Sequence, residues 1–186
     1  MQSKWFTTNE GYRNRSRVLR EASHKIISWV GEFVEFHGVS NGLALDVGSG
    51  TGFFCGLPEE DSEYCYYAGD KVSLDPFICR PVRGGIIGVG EFLPFRGDFF
   101  DIIFCVSSFS HMIDPSACIK EIYRVLRKRG RFFVGAMSDR CCDVYHLWFP
   151  STDELKRILS LPFEIKKFRY DSRMCMFELV KLASLP

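Results

Sequence analysis

Hydrophobic positions along this chain recur with two periods, one typical of helices and the other typical of strands. The helical period predicts three helices, over residues 14–36, 115–128 and 151–159. Gly38 and the polar run after it end the first helix. The second is expected to begin with Asp114 as its N-cap and Pro115 at its first position, and Gly130 marks its end.

Shorter apolar runs between these helices predict strands. The first five strands are expected at residues 43–47, 72–74, 86–89, 101–107 and 131–136, with 64–67 as a competing candidate for the second. Two further runs, 164–170 and 174–182, predict a terminal hairpin. Strands that alternate with helices and finish in a hairpin predict an α/β sheet with an antiparallel edge.

Composition favours one soluble domain with a substantial core, because 46% of the 186 residues are hydrophobic and 25% are charged. Within it we expect residues 1–38 to form an N-terminal helix or lid and residues 39–186 the core. The net charge of +1 gives no general electrostatic attraction to nucleic acid or an acidic membrane. No apolar stretch approaches the ~20 residues that span a bilayer, so we expect a cytoplasmic protein that does not bind membranes.

None of the eight cysteines forms a Cys-x-x-Cys pair, which disfavours zinc and redox-motif sites. We therefore expect free thiols, a reducing compartment and no bound metal. Cys105 and Cys175 fall inside predicted strands and are expected to be small buried hydrophobic residues.

The most informative stretch follows the first predicted strand, where Asp46 precedes three glycines at alternate positions, Gly48, Gly50 and Gly52. A glycine turn between a strand and a helix is where open α/β sheets bind ligands. The dinucleotide fingerprint has a different spacing, and the Asp46 carboxylate would repel a pyrophosphate. A carboxylate attracts an ammonium group instead, so the pattern favours S-adenosylmethionine over a nucleotide-dependent oxidoreductase, although glycines in this spacing can simply make a tight turn.

Several further stretches carry a family resemblance. "LDVGSGTG" resembles motif I of the class I S-adenosylmethionine-dependent methyltransferases, in particular the small type-11 group. "GEFLPF", "SHMIDP" and "EIYRVLRKRG" resemble later blocks of that family in the same order, and "FPSTDELKRIL" is similar to the helix that follows them. The resemblance implies a Rossmann-like three-layer sandwich, whose seven-stranded, mostly parallel sheet has an antiparallel terminal strand. It also implies methyl transfer from S-adenosylmethionine.

The resemblance further implies which residues hold that cofactor. An acid at the end of the second strand accepts hydrogen bonds from the ribose, and Asp75 is preferred over Asp70 because Pro76 follows it. Val89 stands where many relatives carry an aspartate for adenine, so the base would depend on backbone groups and on the Glu91 side chain. The expected cofactor-binding residues are Asp46, Gly48, Ser49, Gly50, Gly52, Asp75, Val89, Gly90, Glu91 and Ser107.

Two features of the cofactor half depart from the family. Pro58 shortens the helix after the glycine turn, and Pro81 with Gly84 shortens the next one. These departures keep open an alternative in which the chain binds the cofactor without catalysis and partners an active methyltransferase.

The acceptor side is less defined. His111 follows the fourth strand and is the candidate general base, although a packing role is equally compatible with its position. Tyr145, His146 and Trp148 lie where an acceptor pocket would be lined, or they belong to the core. Such a pocket suits a compact, partly apolar small molecule better than nucleic acid, and the sequence leaves the oligomeric state open.

Overall fold

The computed structural model describes residues 33, 42–49, 69–76, 85–137, 147–148, 150–170 and 174–182. The strands are β1 (Ala44–Val47), β2 (Lys71–Asp75), β3 (Gly85–Ile87), β4 (Phe100–Val106), β5 (Leu126–Met137), β6 (Phe163–Tyr170) and β7 (Met174–Lys181). The described helices are α1 (Pro115–Val125) and α2 (Thr152–Leu159), and a 3₁₀ turn covers Phe109–His111. Phe33, within the predicted first helix, is helical and buried, while the rest of that helix lies outside the described residues.

All seven strands form one sheet in the order β3-β2-β1-β4-β5-β7-β6. Strands β1 to β5 pair in parallel, and β7 runs antiparallel to both β5 and β6. The prediction of a mostly parallel seven-stranded sheet with an antiparallel last strand is therefore confirmed.

The expected antiparallel edge is also present, because the sheet ends in the antiparallel pair of β7 and β6, with β6 outermost. Burial explains the order. Strand β7 is apolar and buried over Met174 to Phe177, whereas β6 is exposed from Lys166 onward. Charged side chains suit an edge strand because they discourage pairing with another chain.

The centre of the sheet is buried on both faces, as expected for parallel strands covered by helices. In β4 every residue but Asp101 is buried, and Phe104 stacks on Phe133 of β5 with ring centroids 5.3 Å apart. Cys105, Cys118 and Cys175 are free thiols, as predicted, and all three are buried, which was predicted for Cys105 and Cys175. The other five cysteines lie outside the described residues.

Helix α1 begins as predicted, since Asp114 Oδ1 accepts a hydrogen bond from the Ala117 N–H at 3.0 Å. Its end differs: it stops at Val125 rather than residue 128. Leu126 already pairs with Phe100, and residues 127–130 form an excursion before Arg131 pairs with Ile102. The buried Leu126 side chain accounts for the early end, because it belongs to the core while the three residues after it are exposed.

The second strand lies where it was preferred, at Lys71–Asp75, and the competing stretch 64–67 is outside the described residues. The third strand ends at Ile87, two residues earlier than expected. Val89 instead makes an isolated antiparallel bridge to Phe92, which closes a turn. Among the helices that the structure describes, none is long and apolar enough to cross a membrane.

Candidate functional site

Strand β1 lies where the strand order reverses, with β2 on one side and β4 on the other. Open α/β sheets bind ligands at such a switch point, beyond the carboxyl ends of the strands. We call the described residues at or after the ends of β1 to β4 the carboxyl edge: residues 46–49, 75–76, 88–92 and 107–114. All predicted site residues that the structure describes lie on this edge, while Gly50 and Gly52 are outside the described residues.

Gly48 shows why a glycine is needed directly after β1. Its φ is 74°, a left-handed conformation that strains other residues. A Cβ added there would lie 2.4 Å from the Cβ of Ser108, far inside contact distance. The N–H groups of Gly48 and Ser49 both donate to the Leu74 carbonyl, at 2.8 and 3.1 Å. The turn is therefore pressed between β2 and the loop after β4.

The Ser108 side chain, which was not predicted from the sequence, joins the turn after β1 to the loop after β4. Its hydroxyl donates to the Val47 carbonyl at 2.9 Å and lies 3.3 Å from the Cys105 thiol. Burial raises the pKa of Cys105 to about 12, so this thiol is neutral. Nothing in the local sequence distinguishes Ser108 from its serine neighbours, because its role depends on β1 and β4 being adjacent.

Two carboxylates are buried at the carboxyl edge. Asp46 in β1 is 1% exposed and Asp75 at the end of β2 is 6% exposed. Asp70 lies at the opposite end of β2, where it is exposed and its carbonyl accepts the Ala44 N–H at 2.8 Å. Of the two candidates for the ribose acid, only Asp75 is thus on the same edge as the glycine turn.

The turn after β3 packs tightly against the site. A Cβ added to Gly90 would lie 2.8 Å from the Cys118 sulfur and 3.1 Å from a Val47 methyl group. Glu91 Oε1 accepts hydrogen bonds from the Ile113 and Asp114 N–H groups, at 2.7 and 3.2 Å. The Glu91 carboxylate therefore ties the turn to the start of α1, and its contact with a cofactor stays a prediction.

The loop after β4 carries Ser107 and His111. Ser107 has a φ of 55°, unusual for a serine, and its N–H donates to the Gly135 carbonyl at 2.9 Å. The His111 N–H donates to the Ser108 carbonyl at 3.0 Å, which closes the 3₁₀ turn and leaves the residue half-buried. Both residues follow β4, which pairs with β1 in the sheet, and their roles stay predictions.

Trp148 is brought to the same edge from the segment after β5. Its N–H and that of Leu147 both donate to the Ser110 carbonyl, at 3.2 and 2.8 Å. Its ring meets the Phe109 ring edge-on, with centroids 5.4 Å apart. Tyr145 and His146, predicted to accompany Trp148, lie outside the described residues.

The carboxyl edge has a distinctive charge and polarity. It carries four carboxylates, on Asp46, Asp75, Glu91 and Asp114, and none of its described residues is a lysine or arginine. The hydroxyls of Ser49 and Ser110 are buried and have no hydrogen-bond partner among the described residues. Buried polar groups are normally paired, so these two hydroxyls indicate an edge built for a polar ligand.

A family model for a methyltransferase domain matches residues 45–134, which run from β1 into β5. Residues 45–134 thus match the type-11 group of the class I S-adenosylmethionine-dependent methyltransferases. The match includes the glycine turn, the ends of β2 and β3, the loop after β4 and α1. All of the carboxyl edge therefore falls inside the methyltransferase domain.

This methyltransferase domain is also similar to two proteins named tRNA U34 carboxymethyltransferase. The one from Wolinella succinogenes is 34% identical over 64 residues, which cover 34% of this chain and 23% of that protein. The one from Sulfurimonas denitrificans is 34% identical over 94 residues, or 46% of this chain and 31% of that protein. The chain thus spans less than a third of the length of these relatives.

Among solved structures, the methyltransferase fold recurs in 1,6-didemethyltoxoflavin-N1-methyltransferase from Burkholderia thailandensis, solved with 1,6-didemethyltoxoflavin and S-adenosylhomocysteine bound. The TM-score is 0.67 at 13% identity, and the likeness covers 92% of this chain and 84% of the other. At that identity the likeness shows the fold alone, and it agrees with the predicted Rossmann-like architecture.

Proposed function

We propose that this protein binds S-adenosylmethionine at the carboxyl edge and transfers its methyl group to a small-molecule acceptor. The observation that carries the proposal is the left-handed Gly48 turn, pressed against Ser108 and flanked by the buried carboxylates of Asp46 and Asp75. The turn holds β1, β2 and the loop after β4 together at the switch point, and the two acids favour a ligand that is positively charged.

The described residues fit the chemical groups of that cofactor. Asp46 would attract the ammonium group, and Asp75 would accept hydrogen bonds from the ribose hydroxyls. The exposed Val89 and the close-packed Gly90 would lie against adenine. When bound, the cofactor supplies a methyl group already activated by its sulfonium sulfur.

The work left to the protein is positioning, exclusion of water and proton handling. The acceptor atom forms a bond to the methyl carbon with its lone pair, while the electron pair of the broken carbon–sulfur bond stays on sulfur. His111 would take the proton when the acceptor is a hydroxyl or a protonated amine. Trp148, packed on the buried Phe109 ring, would form an apolar wall beside the acceptor.

A compact acceptor suits the charge of this edge. Nucleic acids carry a phosphate at every nucleotide and are bound through lysine and arginine. The described residues of the carboxyl edge present four carboxylates and no such cation. Its exposed apolar side chains, Val89, Phe92 and Ile113, suit a partly apolar molecule instead.

RNA is the second candidate acceptor, because two relatives are named tRNA U34 carboxymethyltransferase. For this chain, tRNA would have to reach the carboxyl edge while its phosphates contact cations elsewhere. This alternative therefore predicts methylation that weakens steeply as salt concentration rises, whereas a small acceptor predicts a shallow dependence.

A methyl-labelled donor distinguishes these acceptors. The protein is incubated with S-adenosylmethionine labelled at the methyl group and, separately, with a metabolite extract or total tRNA. Label in a small metabolite, absent with Gly48→Ala, is the expected result. Label in tRNA would replace the small-molecule acceptor with RNA, and cofactor binding without transfer to either fraction would favour the non-catalytic binding subunit.

A further inference from the structure

We infer that residues 127–130, which we call the basic turn, dock nucleic acid through its phosphate groups. The turn has the sequence "RKRG" and lies where β4 begins, because Leu126 before it pairs with Phe100. It is therefore at the end of the sheet opposite the carboxyl edge. Docking here is independent of the proposed cofactor site, which lies at the other end of the strands.

The first step concerns the backbone of Arg129. Its φ is 62°, a left-handed conformation that turns normally assign to glycine or asparagine. A residue with a Cβ is strained in this conformation, whereas glycine is not. A use for the guanidinium group therefore explains why an arginine stands at this position.

The second step is that the chain does not itself use this guanidinium group. Arg129 and Lys128 are exposed, and neither forms an ion pair with a carboxylate in the part of the chain that the structure describes. Their neighbour Arg127 differs, because it is paired with Asp101. The charges of Lys128 and Arg129 are therefore left for a partner.

The third step is the charge of the surrounding surface. The turn before β4 adjoins the end of α1, since the Asp98 N–H donates to the Arg124 carbonyl at 3.0 Å. Arg96, two residues before Asp98, is exposed as well. Residues 94–101 and 124–131 together contain six lysine or arginine residues and two aspartates. Positive charge therefore predominates on these adjoining segments, in contrast to the acidic carboxyl edge.

The fourth step identifies the class of partner. Interfaces between proteins have an apolar centre, and none of the large hydrophobic side chains exposed on the described surface belongs to residues 94–101 or 124–131. Cations without exposed apolar neighbours suit the phosphates of nucleic acid, which arginine binds through two parallel hydrogen bonds. Contacts of this kind do not read the base sequence, and they weaken as salt concentration rises.

Fluorescence anisotropy with a labelled RNA hairpin and a DNA hairpin of the same sequence, over a series of salt concentrations, tests the docking. Both hairpins should bind the wild-type protein. Arg129→Gly should weaken binding about 3- to 10-fold at low salt and reduce the slope of log K against log salt concentration by about 1. Lys166→Gln is the matched control, because it removes the same unit of charge from β6, where Lys166 pairs with Glu164. It should change neither the affinity nor the slope.

Stability distinguishes docking from a structural role. The ligand-free Arg129→Gly protein should melt at or above the temperature of the wild type, because glycine adopts a left-handed φ without strain. A lower melting temperature would assign the arginine side chain to the fold instead.

Three binding results would overturn the docking surface. Equal weakening in Lys166→Gln and Arg129→Gly would show a general attraction of charge without a localised site. Unchanged affinity in Arg129→Gly, or no binding of either hairpin to the wild type, would remove nucleic acid as the partner. Tighter binding of an acidic peptide than of an RNA hairpin of equal charge would replace nucleic acid with a protein partner.

Discussion

The two edges of the sheet differ in how their charged side chains are paired. At the amino edge, which we define as residues 42–43, 69–71, 94–101, 124–131 and 181, four of the described cations lie in ion pairs with carboxylates. These pairs are Arg124–Glu121, Arg127–Asp101, Arg131–Glu178 and Lys181–Asp98. The carboxyl edge has four carboxylates, no described lysine or arginine, a left-handed Gly48 turn and two buried hydroxyls without described partners.

We infer from this difference that the ion pairs at the amino edge stabilise the fold and that the carboxyl edge binds a ligand. The buried Lys181 ammonium is held by Asp98 at 2.7 Å and by the Leu126 carbonyl at 2.6 Å, so it is satisfied within the chain. Groups satisfied in this way stabilise the fold and have little left for a ligand. At the carboxyl edge, by contrast, the buried hydroxyls of Ser49 and Ser110 have no partner among the described residues.

His111→Ala is the variant with the largest expected effect on turnover. If the acceptor is a hydroxyl or a protonated amine, methyl transfer should slow by roughly 10²–10⁴ because the general base is lost. The affinity for S-adenosylmethionine, measured by calorimetry, should stay nearly unchanged. Turnover equal to that of the wild type would return His111 to a packing role and leave the carboxyl edge as a binding surface only.

Gly48→Ala and Gly130→Ala form a matched pair across the two edges. Alanine at position 48 meets both the left-handed φ and the Ser108 side chain, so stability should fall by about 2–4 kcal/mol. Alanine at position 130 would lie 2.7 Å from Leu126 Cδ1, and about 1–3 kcal/mol should be lost. Urea unfolding measures both losses.

The Gly48→Ala and Gly130→Ala variants should differ in their affinity for the cofactor. Only Gly48→Ala should also lose affinity for S-adenosylmethionine, measured at a temperature where both variants are folded. Loss of affinity in folded Gly130→Ala would break the distinction between the edges.

The sequence predicted those features that depend on neighbouring residues. Asp114 followed by Pro115 predicts the start of α1, and the glycine turn predicts the end of β1. Both signals come from adjacent residues. The end of α1 depends instead on Leu126 pairing with Phe100, 26 positions earlier, and no local signal reports that pairing. Gly130 therefore suggested a helix three residues too long.

The same limit applies to the site. Asp46 and Gly48 could be predicted from spacing, whereas Ser108 acquires its role only once β4 lies beside β1. The position of β7 inside the sheet likewise depends on its pairing with β5, which a hairpin pattern leaves undetermined.

Asp75→Ala and Asp70→Ala compare the two ends of a single strand. Loss of the buried Asp75 carboxylate should weaken S-adenosylmethionine binding by roughly 10- to 150-fold, through lost charge-assisted bonds to the ribose. Asp70→Ala should leave that affinity unchanged, because Asp70 is exposed at the amino edge. The reverse result would mean that the acid which binds the ribose has been assigned to the wrong end of β2.

Asp98→Asn, at the amino edge, should have the smallest effect of these substitutions. It should change the stability of the fold and leave cofactor binding unchanged. The hydrogen bond from Lys181 lowers the pKa of Asp98 below its ordinary value of 3.8. Its stabilising contribution is therefore complete above pH 3.8 and is lost as the pH falls through the lowered value. At pH 7 we expect a loss on the order of 1 kcal/mol or less, since Asp98 is largely exposed.

Urea unfolding of wild type and Asp98→Asn across a pH series checks this expectation. The difference between the two proteins should shrink on acidification below pH 3.8. A gap that widens on acidification, or a change in S-adenosylmethionine affinity at pH 7, would contradict the structural role of this ion pair.

Calorimetry of the wild-type protein with S-adenosylhomocysteine and with NAD, in parallel titrations, tests the central claim most directly. The buried Asp46 carboxylate beside the Gly48 turn should favour the ligand that carries an ammonium group and repel a pyrophosphate. We predict measurable binding of S-adenosylhomocysteine and weaker or undetectable binding of NAD. Tighter binding of NAD would contradict the account of the carboxyl edge.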